Sequence, residues 1–300
     1  MEIKRIDFRD KSQELPEYLV EMQKSINPKC KSLNILGSPF ESDLNAIAVV
    51  GSRKITNYGR LACKDLVSKI AAAGVTIVSG LMYGADIEAH KAAIAVGGRT
   101  IAVLGYGIQN ISKYRYAKEV ADEIISKNCG FIVSEYSDFE CAKGWTFPAR
   151  NRIVSGLSKC VVIIEAGMKS GSIITASEAV DQGKTVFVVP GSIFNPVSKG
   201  SHFLIRSGAI LIDDANDVLD FLGISAQKLQ IGKISGLPES QNKLESQIID
   251  LLKCELLPQD IEAICLNLGS DIPETNIALT SLEIAMYIKK DRLGKWQIAI

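Results

Sequence analysis

Short apolar runs rich in valine and isoleucine recur from about residue 46 to 220, separated by longer stretches with helical periodicity. The runs read AIAVV (46–50), VTIVS (75–79), RTIAVLG (99–105), GFIVSE (130–135), CVVIIEA (160–166) and TVFVVP (185–190). Between them lie amphipathic segments such as NYGRLACKDLVSKIAAAG and GADIEAHKAAIAVGG. Each of these is closed by glycine, the residue that helix C-termini favour. A strand apolar on both faces must be covered on both, and the intervening helices supply that cover. The pattern predicts an α/β domain over 41–223, an extended Rossmann-like, mostly parallel sheet. In such sheets the ligand crevice lies outside the carboxyl ends of the strands.

Outside that domain the pattern changes. Residues 1–40 are expected to form a short helical lead-in. Residues 224–243, ISAQKLQIGKISGLPESQNK, are polar, with glycine, proline and serine, and suggest a linker. LESQIIDLLK, PQDIEAICLNLG and PETNIALTSLEIAMYIKKDRLGKWQIAI then give three helical patterns and a hairpin turning at DRLGKW. Residues 244–300 therefore suit a small winged-helix-like domain.

The loops that follow the strands carry the candidate chemistry. After the first strand, Gly51 permits a tight turn, and Ser52, Arg53 and the next helix's amides can face a phosphate. G-x-G-x-x-G is missing and no acid follows the second strand to hold a ribose, so NAD binding is not expected. After the second strand, Ser79 and Gly80 keep bulk away from the crevice. Asp86 and His90 stand one helical turn apart. With only His90 and His202 in the chain and no metal-ligand spacing, no metal is expected, and His90 reads as a packed helix residue.

The fifth strand runs into Lys169, Ser170, Gly171 and Ser172, a loop of hydroxyl and small residues opening a helix. The QGKT at 182–185 is no P-loop, since Glu178 stands where the first glycine belongs. The sixth strand supplies Gly191, Ser192 and Lys199. Four phosphate-type loops on one edge exceed what a mononucleotide needs, whereas a groove following several phosphates would use them all. No serine has a partnered histidine and no carboxylates pair at these loops, which favours binding over catalysis.

Charge sharpens this picture. The formal net charge is zero, but residues 143–206 hold eight basic and three acidic residues, a net of +5. From Ser207 onward there are eight basic and fourteen acidic residues, a net of −6. A basic segment can serve a polyanion, although an ordinary solvated face has the same composition. The acidic tail points to protein contact rather than phosphate contact, so loss of 224–300 should leave nucleic-acid affinity within a few-fold. Seven cysteines without a Cys-x-x-Cys pair read as reduced thiols of a cytoplasmic protein. No signal-peptide core and no apolar run of ~20 residues is present, so no membrane role is expected.

Taken in order, AIAVVGSRKITNYG, IVSGLMYGADIEAHKAAI, TIAVLGYGI, FPARNRIVSGLS, VVIIEAGMKSGSIITASEAVDQGKTVFVVPGSI and SKGSHFLIRSGAILI resemble the DprA/Smf family of bacterial DNA-processing proteins. The resemblance implies a protein that binds single-stranded DNA, forms a homodimer and uses no cofactor. It also implies a recombination mediator of natural transformation, which protects incoming strands and loads RecA onto strands covered by single-strand-binding protein. On this reading Arg53, Lys143, Arg150 and Lys169 hold successive phosphates and Phe147 offers a face to a base. Asn151 and Arg152 either join them or fix the loop to the sheet. Two departures from the family pattern stand out. Only Lys169 flanks the loop after the fifth strand, and the usual YP turn after Gly107 is replaced by a basic stretch with Lys113, Tyr114 and Arg115. The competing class is a nucleotide-cleaving phosphoribohydrolase. Its Pro-Gly-Gly-x-Gly-Thr-x-x-Glu run is matched in KSGSIITASE only by Gly171, Thr175 and Glu178.

Overall fold

The computed structural model describes residues 2–10, 12–224, 243–254, 258–284, 287–291 and 294–298. It separates into two compact units, Met1–Ile231 and Gly232–Ile300. Most of the expected linker, residues 225–242, lies outside the described residues.

The first unit is built on one nine-stranded sheet. Its strands are β1 (Lys4–Asp7), β2 (Ser32–Gly37), β3 (Ala46–Val50), β4 (Thr76–Ser79), β5 (Thr100–Leu104), β6 (Gly130–Ser134), β7 (Cys160–Ile163), β8 (Thr185–Val188) and β9 (Ile210–Leu211). They lie in the order β1-β2-β6-β5-β4-β3-β7-β8-β9. All pairings from β6 to β9 are parallel, and those of β2 with β6 and of β1 with β2 are antiparallel. The six strands expected from the apolar runs are β3 to β8, as a Rossmann-like sheet requires.

The expectation of a helical lead-in over residues 1–40 needs correction. A helix is present, α1 (Glu17–Ser25), but β1 and β2 lie on either side of it and extend the sheet. SLNILG hides its strand character because a polar Asn34 interrupts the apolar residues. Its side chain is buried and donates to the Tyr136 carbonyl (2.8 Å), while Leu33 and Ile35 enter the core. KRID is a four-residue edge strand whose Lys4 and Arg5 are exposed, as suits a sheet edge.

Helices cover both faces of the sheet. The others in this unit are α2 (Asn57–Ala72), α3 (Ala85–Ala95), α4 (Arg115–Ser126), α5 (Thr146–Gly156), α6 (Gly171–Asp181), α7 (Lys199–Arg206) and α8 (Ala215–Phe221). Alternation along β3 shows the layering. Ala46, Ala48 and Val50 join Leu19, Met22, Ile153, Ala176 and Leu204 on one face, beneath α1, α5, α6 and α7. Ile47 and Val49 join Leu66, Ile70, Ala89, Ala93 and Val218 on the other, beneath α2, α3 and α8. Ala102, Leu104 and Ile132 meet Val120 and Ile124 of α4. Between α4 and β6 the chain is tight. Gly130 has φ +157°, and a Cβ there would overlap the Thr100 carbonyl oxygen.

The second unit holds α9 (Lys243–Cys254), α10 (Ile261–Leu268) and α11 (Ile272–Ile284), then an antiparallel hairpin of β10 (Ile288–Lys290) and β11 (Trp296–Ile298). Ile248, Ile264, Leu279, Ile288 and Trp296 form its own core. This is the helix-then-hairpin order read from the sequence. No helix among the described residues is long and apolar enough to cross a membrane.

His90 of α3 is a packed residue, and its protonation is fixed by its neighbours. The Thr100 hydroxyl donates to the Ile77 carbonyl (2.7 Å), so in the His90 Nδ1···Thr100 Oγ1 contact (2.6 Å) the ring nitrogen is the donor. Nε2 is then a bare, buried acceptor without a partner among the described residues. Protonating it would bury an unpartnered cation, and burial, with the Arg150 charge adding to it, pushes the imidazole down to about 3 from 6.5. The unfolded chain binds this proton near pH 6.5 and the folded one only near 3. The contribution is therefore complete above pH 6.5 and is lost as pH falls toward 3, at up to about 1.4 kcal/mol per pH unit. Urea unfolding from pH 7 to 4 should fall more steeply for wild type than for His90→Gln. Parallel curves would clear His90 of the acid sensitivity.

Candidate nucleic-acid interface

The chain adds β4, β5 and β6 on one side of β3, then β7, β8 and β9 on the other. This reversal makes β3 and β7 the switch point, where an open parallel sheet leaves a crevice beyond its carboxyl ends. The loops bearing Arg53 and Lys169 follow these two strands, and the loop bearing Ser192 follows the next, β8.

Two contacts fix the loop after β3. Glu165, buried just past β7, accepts from the Thr56 amide (2.8 Å) and the Thr56 hydroxyl (2.6 Å). That hydroxyl in turn accepts from the Gly59 amide (3.1 Å), capping α2. On the other flank the Ala85 amide donates to the Ser52 carbonyl (3.2 Å). Gly84, at φ +93°, approaches so closely that a Cβ would overlap Ser52 and Arg53 backbone atoms. The loops after β3 and β4 thus touch backbone to backbone, which sets Tyr83 beside Arg53.

Arg53 is exposed and, among the described residues, makes no hydrogen bond or ion pair. Its guanidinium carbon lies 5.6 Å from the ring centre of Tyr83 and 5.6 Å from that of Phe147. Cation–π attraction at that distance orients the group without neutralising it. Phe147 is partly buried against Tyr106 and Gly105.

Arg150 and Ser79 were expected to face ligand, and the structure corrects both. Arg150 is buried, and its Nη1 donates to the carbonyls of Gly80 (2.6 Å) and Val103. Asp86 is buried nearby, and a Cβ on Gly80 would overlap both the Arg150 guanidinium and the Asp86 carboxylate. Gly80 therefore makes room for a buried charge rather than for a phosphate. Burial pushes the Asp86 carboxyl up and the Arg150 guanidinium down, each opposed by the charge of the other. Ser79 is fully buried and donates to the Val49 carbonyl (2.6 Å).

Arg152 resolves toward the structural alternative. Both Glu135 carboxylate oxygens accept from Nη2 (2.8 Å each), and Nε and Nη1 donate to the Pro28 and Ala149 carbonyls (2.9 Å each). The guanidinium is buried. Asn151, partly exposed, reaches the Gly171 carbonyl (3.3 Å) and ties α5 to the start of α6.

The remaining residues occupy the carboxyl edge. Lys169 and Gly171 are exposed, and Lys169 has no partner among the described residues. Ser170 caps α6 by accepting from the Ser172 amide (3.3 Å), and the two hydroxyls share a hydrogen bond (2.7 Å). Gly51 lies where a Cβ would crowd Ala85 and Glu165. The Ser52 hydroxyl accepts from the Lys54 amide (3.0 Å) and the Ser192 hydroxyl from the Phe194 amide (3.3 Å). Exposed Lys199 donates to the Ile193 carbonyl (2.9 Å), and the Gly191 carbonyl contacts His202 (2.9 Å). Exposed Lys143 sits 3.8 Å from Glu140 and 5.7 Å from the Trp145 ring. No cluster of His, Cys, Asp or Glu suited to a metal occurs among the described residues.

The family model for DNA recombination-mediator protein A matches residues 10–223. The chain belongs to this family. Protein Smf of Escherichia coli (strain K12) is 39% identical over 267 residues, 83% of this chain and 68% of that protein. DNA processing protein DprA of Bacillus subtilis (strain 168) is 41% identical over 176 residues, 59% of this chain and 58% of that one. The chain therefore spans less than three fifths of that relative's length. Among solved structures, DprA of Streptococcus pneumoniae aligns at a TM-score of 0.64 with 36% identity, covering 73% of this chain and 74% of that one. DNA processing protein A of Helicobacter pylori, described for its single-stranded DNA binding mode, aligns at 0.62 with 27% identity, over 73% of this chain and 95% of that one.

The sequence reading of this DprA-family chain missed Tyr83, Asp86 in its role beside Arg150, and Glu165 as the loop's anchor. An aromatic next to a loop glycine after a strand was the available signal for Tyr83. The two kinds of arginine should separate in unfolding experiments. Arg152→Ala strands the Glu135 carboxylate and is expected to cost about 3 kcal/mol. Arg53→Ala should stay within about 0.5 kcal/mol of wild type. Equal costs in urea titrations would contradict this division.

Proposed function

We propose that this protein binds single-stranded DNA along the carboxyl edge of its sheet and acts as a recombination mediator. The observation that carries the reading is Arg53, an unpaired cation between two rings at the switch point of the sheet. Arg53, Lys169, Lys143 and Lys199 hold phosphates, with amides and hydroxyls of the loops at Ser52, Ser170, Ser172 and Ser192 filling the gaps. Phe147 offers a ring edge or face to a base. Stacking of this kind tolerates any sequence, as a protein that handles arbitrary incoming strands requires. The single-strand binding described for the Helicobacter pylori relative supports single-strand binding here.

On this reading the protein works in the cytoplasm during natural transformation, protects incoming strands and loads RecA where single-strand-binding protein already covers them. It binds rather than cleaves, so incubation with nucleoside monophosphates should release no base. The second unit, with a winged helix's element order, contacts protein. Filament assembly by RecA on coated strands is the assay for loading, and unchanged assembly with the protein present would remove that part of the proposal.

The protein works as a homodimer. The support is the short edge strand β9, where Ile210 and Leu211 are each 48% exposed, with Phe221 of α8 close to that edge and 46% exposed. Sedimentation should report a dimer for wild type and a monomer for Ile210→Lys; a monomeric wild type would sink this part.

For the binding itself, anisotropy of labelled oligo-dT across a salt series should show tight, salt-dependent association and much weaker binding of a matched duplex. Arg53→Ala and Lys169→Ala should each weaken binding and reduce the logarithmic salt slope by roughly 0.7. Indifference of both variants would hand the crevice to another ligand.

A further inference from the structure

An arc of aromatic rings connects the two sides of Arg53. Tyr83 packs edge-on against Tyr116 (5.7 Å, 81°), Tyr116 meets Tyr114 (6.1 Å), Tyr114 meets Tyr106 (4.8 Å), and Tyr106 meets Phe147 (6.4 Å). No direct ring contact joins Tyr83 and Phe147 among the described residues, so the Arg53 guanidinium bridges the ends of the arc. The two end rings differ in access. Phe147 is partly buried, with one edge against Gly105, whereas Tyr83 is 46% exposed. An exposed ring on a loop ordinarily moves freely, but this one is held. Gly84 presses against Arg53 behind it, Leu81 before it takes the left-handed φ of 54°, and Tyr116 supports its side.

A held, half-exposed aromatic ring beside an unneutralised cation has the chemistry of a nucleotide subsite. The cation takes the phosphate and the ring takes the adjoining base. We propose that Tyr83 is a second base-stacking platform, which holds the base next to the Arg53-bound phosphate and extends the strand's path from Phe147 toward α4. The inference rests on the single-strand reading above and adds a residue to it. Next to Tyr116 on α4 stands Arg115, which is exposed and pairs with Glu119 (3.1 Å).

The competing role for Tyr83 is to orient Arg53 without touching DNA, and abasic strands distinguish the two. Wild type, Tyr83→Ala, Tyr83→Trp and Arg53→Ala are titrated by anisotropy at low salt against oligo-dT and against a strand of equal length with abasic sugars. Tyr83→Ala should bind oligo-dT roughly tenfold more weakly and the abasic strand within about twofold of wild type. Tyr83→Trp, which keeps a broad face, should bind oligo-dT at least as tightly as wild type. An unchanged affinity of Tyr83→Ala for oligo-dT, or weakening by Tyr83→Trp, would overturn the platform. An equal loss on both strands would reduce Tyr83 to a positioning residue for Arg53. If instead Arg53→Ala changes neither affinity, the single-strand reading itself fails.

Discussion

A guanidinium buried beneath the carboxyl ends of the parallel strands governs this edge of the molecule. Arg150 can stay there only because carbonyls of Gly80 and Val103 accept its hydrogen bonds and the buried Asp86 answers its charge. An unpaired cation in that position would cost several kcal/mol. The consequence is positional. The side chain ties the first turns of α5 to the ends of β4 and β5, and Phe147 sits one turn ahead of it. The ring therefore meets Arg53 from a helix that cannot slide. Glu165 does the corresponding work on the other side by holding Thr56 and the start of α2. The exposed site is a thin layer set over a polar foundation in which Arg150 and Glu165 both have their partners.

This foundation explains what the sequence could and could not convey. The parallel strands were legible because strands covered on both faces are apolar without interruption, and glycine marks where each helix ends. The loops Gly51–Arg53 and Lys169–Ser172 were legible for a related reason, since small residues and hydroxyls after strands have few other uses. Lys4–Asp7 and Ser32–Gly37 were not, because one is a charged edge strand and the other is broken by Asn34, whose partner lies 102 residues away. Nor does a sequence distinguish an arginine that meets solvent from one that meets carbonyls. Arg150 and Arg152 flank Asn151 in one short motif that looks made for phosphate, yet both are spent inside the protein.

The same lesson applies to the basic segment. Its net charge of +5 over residues 143–206 counts Arg150, Arg152 and Lys184. Lys184 donates to the Ser155 and Gly156 carbonyls at the end of α5, and burial lowers its ammonium to about 8. The field that a polyanion meets is therefore made by fewer side chains than the composition suggests. Arg53, outside that segment, is exposed and makes no ion pair among the described residues. Attraction here depends on which cations remain unspent, not on how many the chain contains.

The two margins of the sheet are unlike. At one end β1 presents Lys4 and Arg5 in antiparallel register with β2, a border that discourages any further strand from joining. At the other end β9 is two residues long, parallel and apolar on its exposed side. In the proposed homodimer the cohesive margin of one copy meets the same margin of the other. Such a contact is self-complementary and closes after two subunits, so growth into filaments has no geometry to follow.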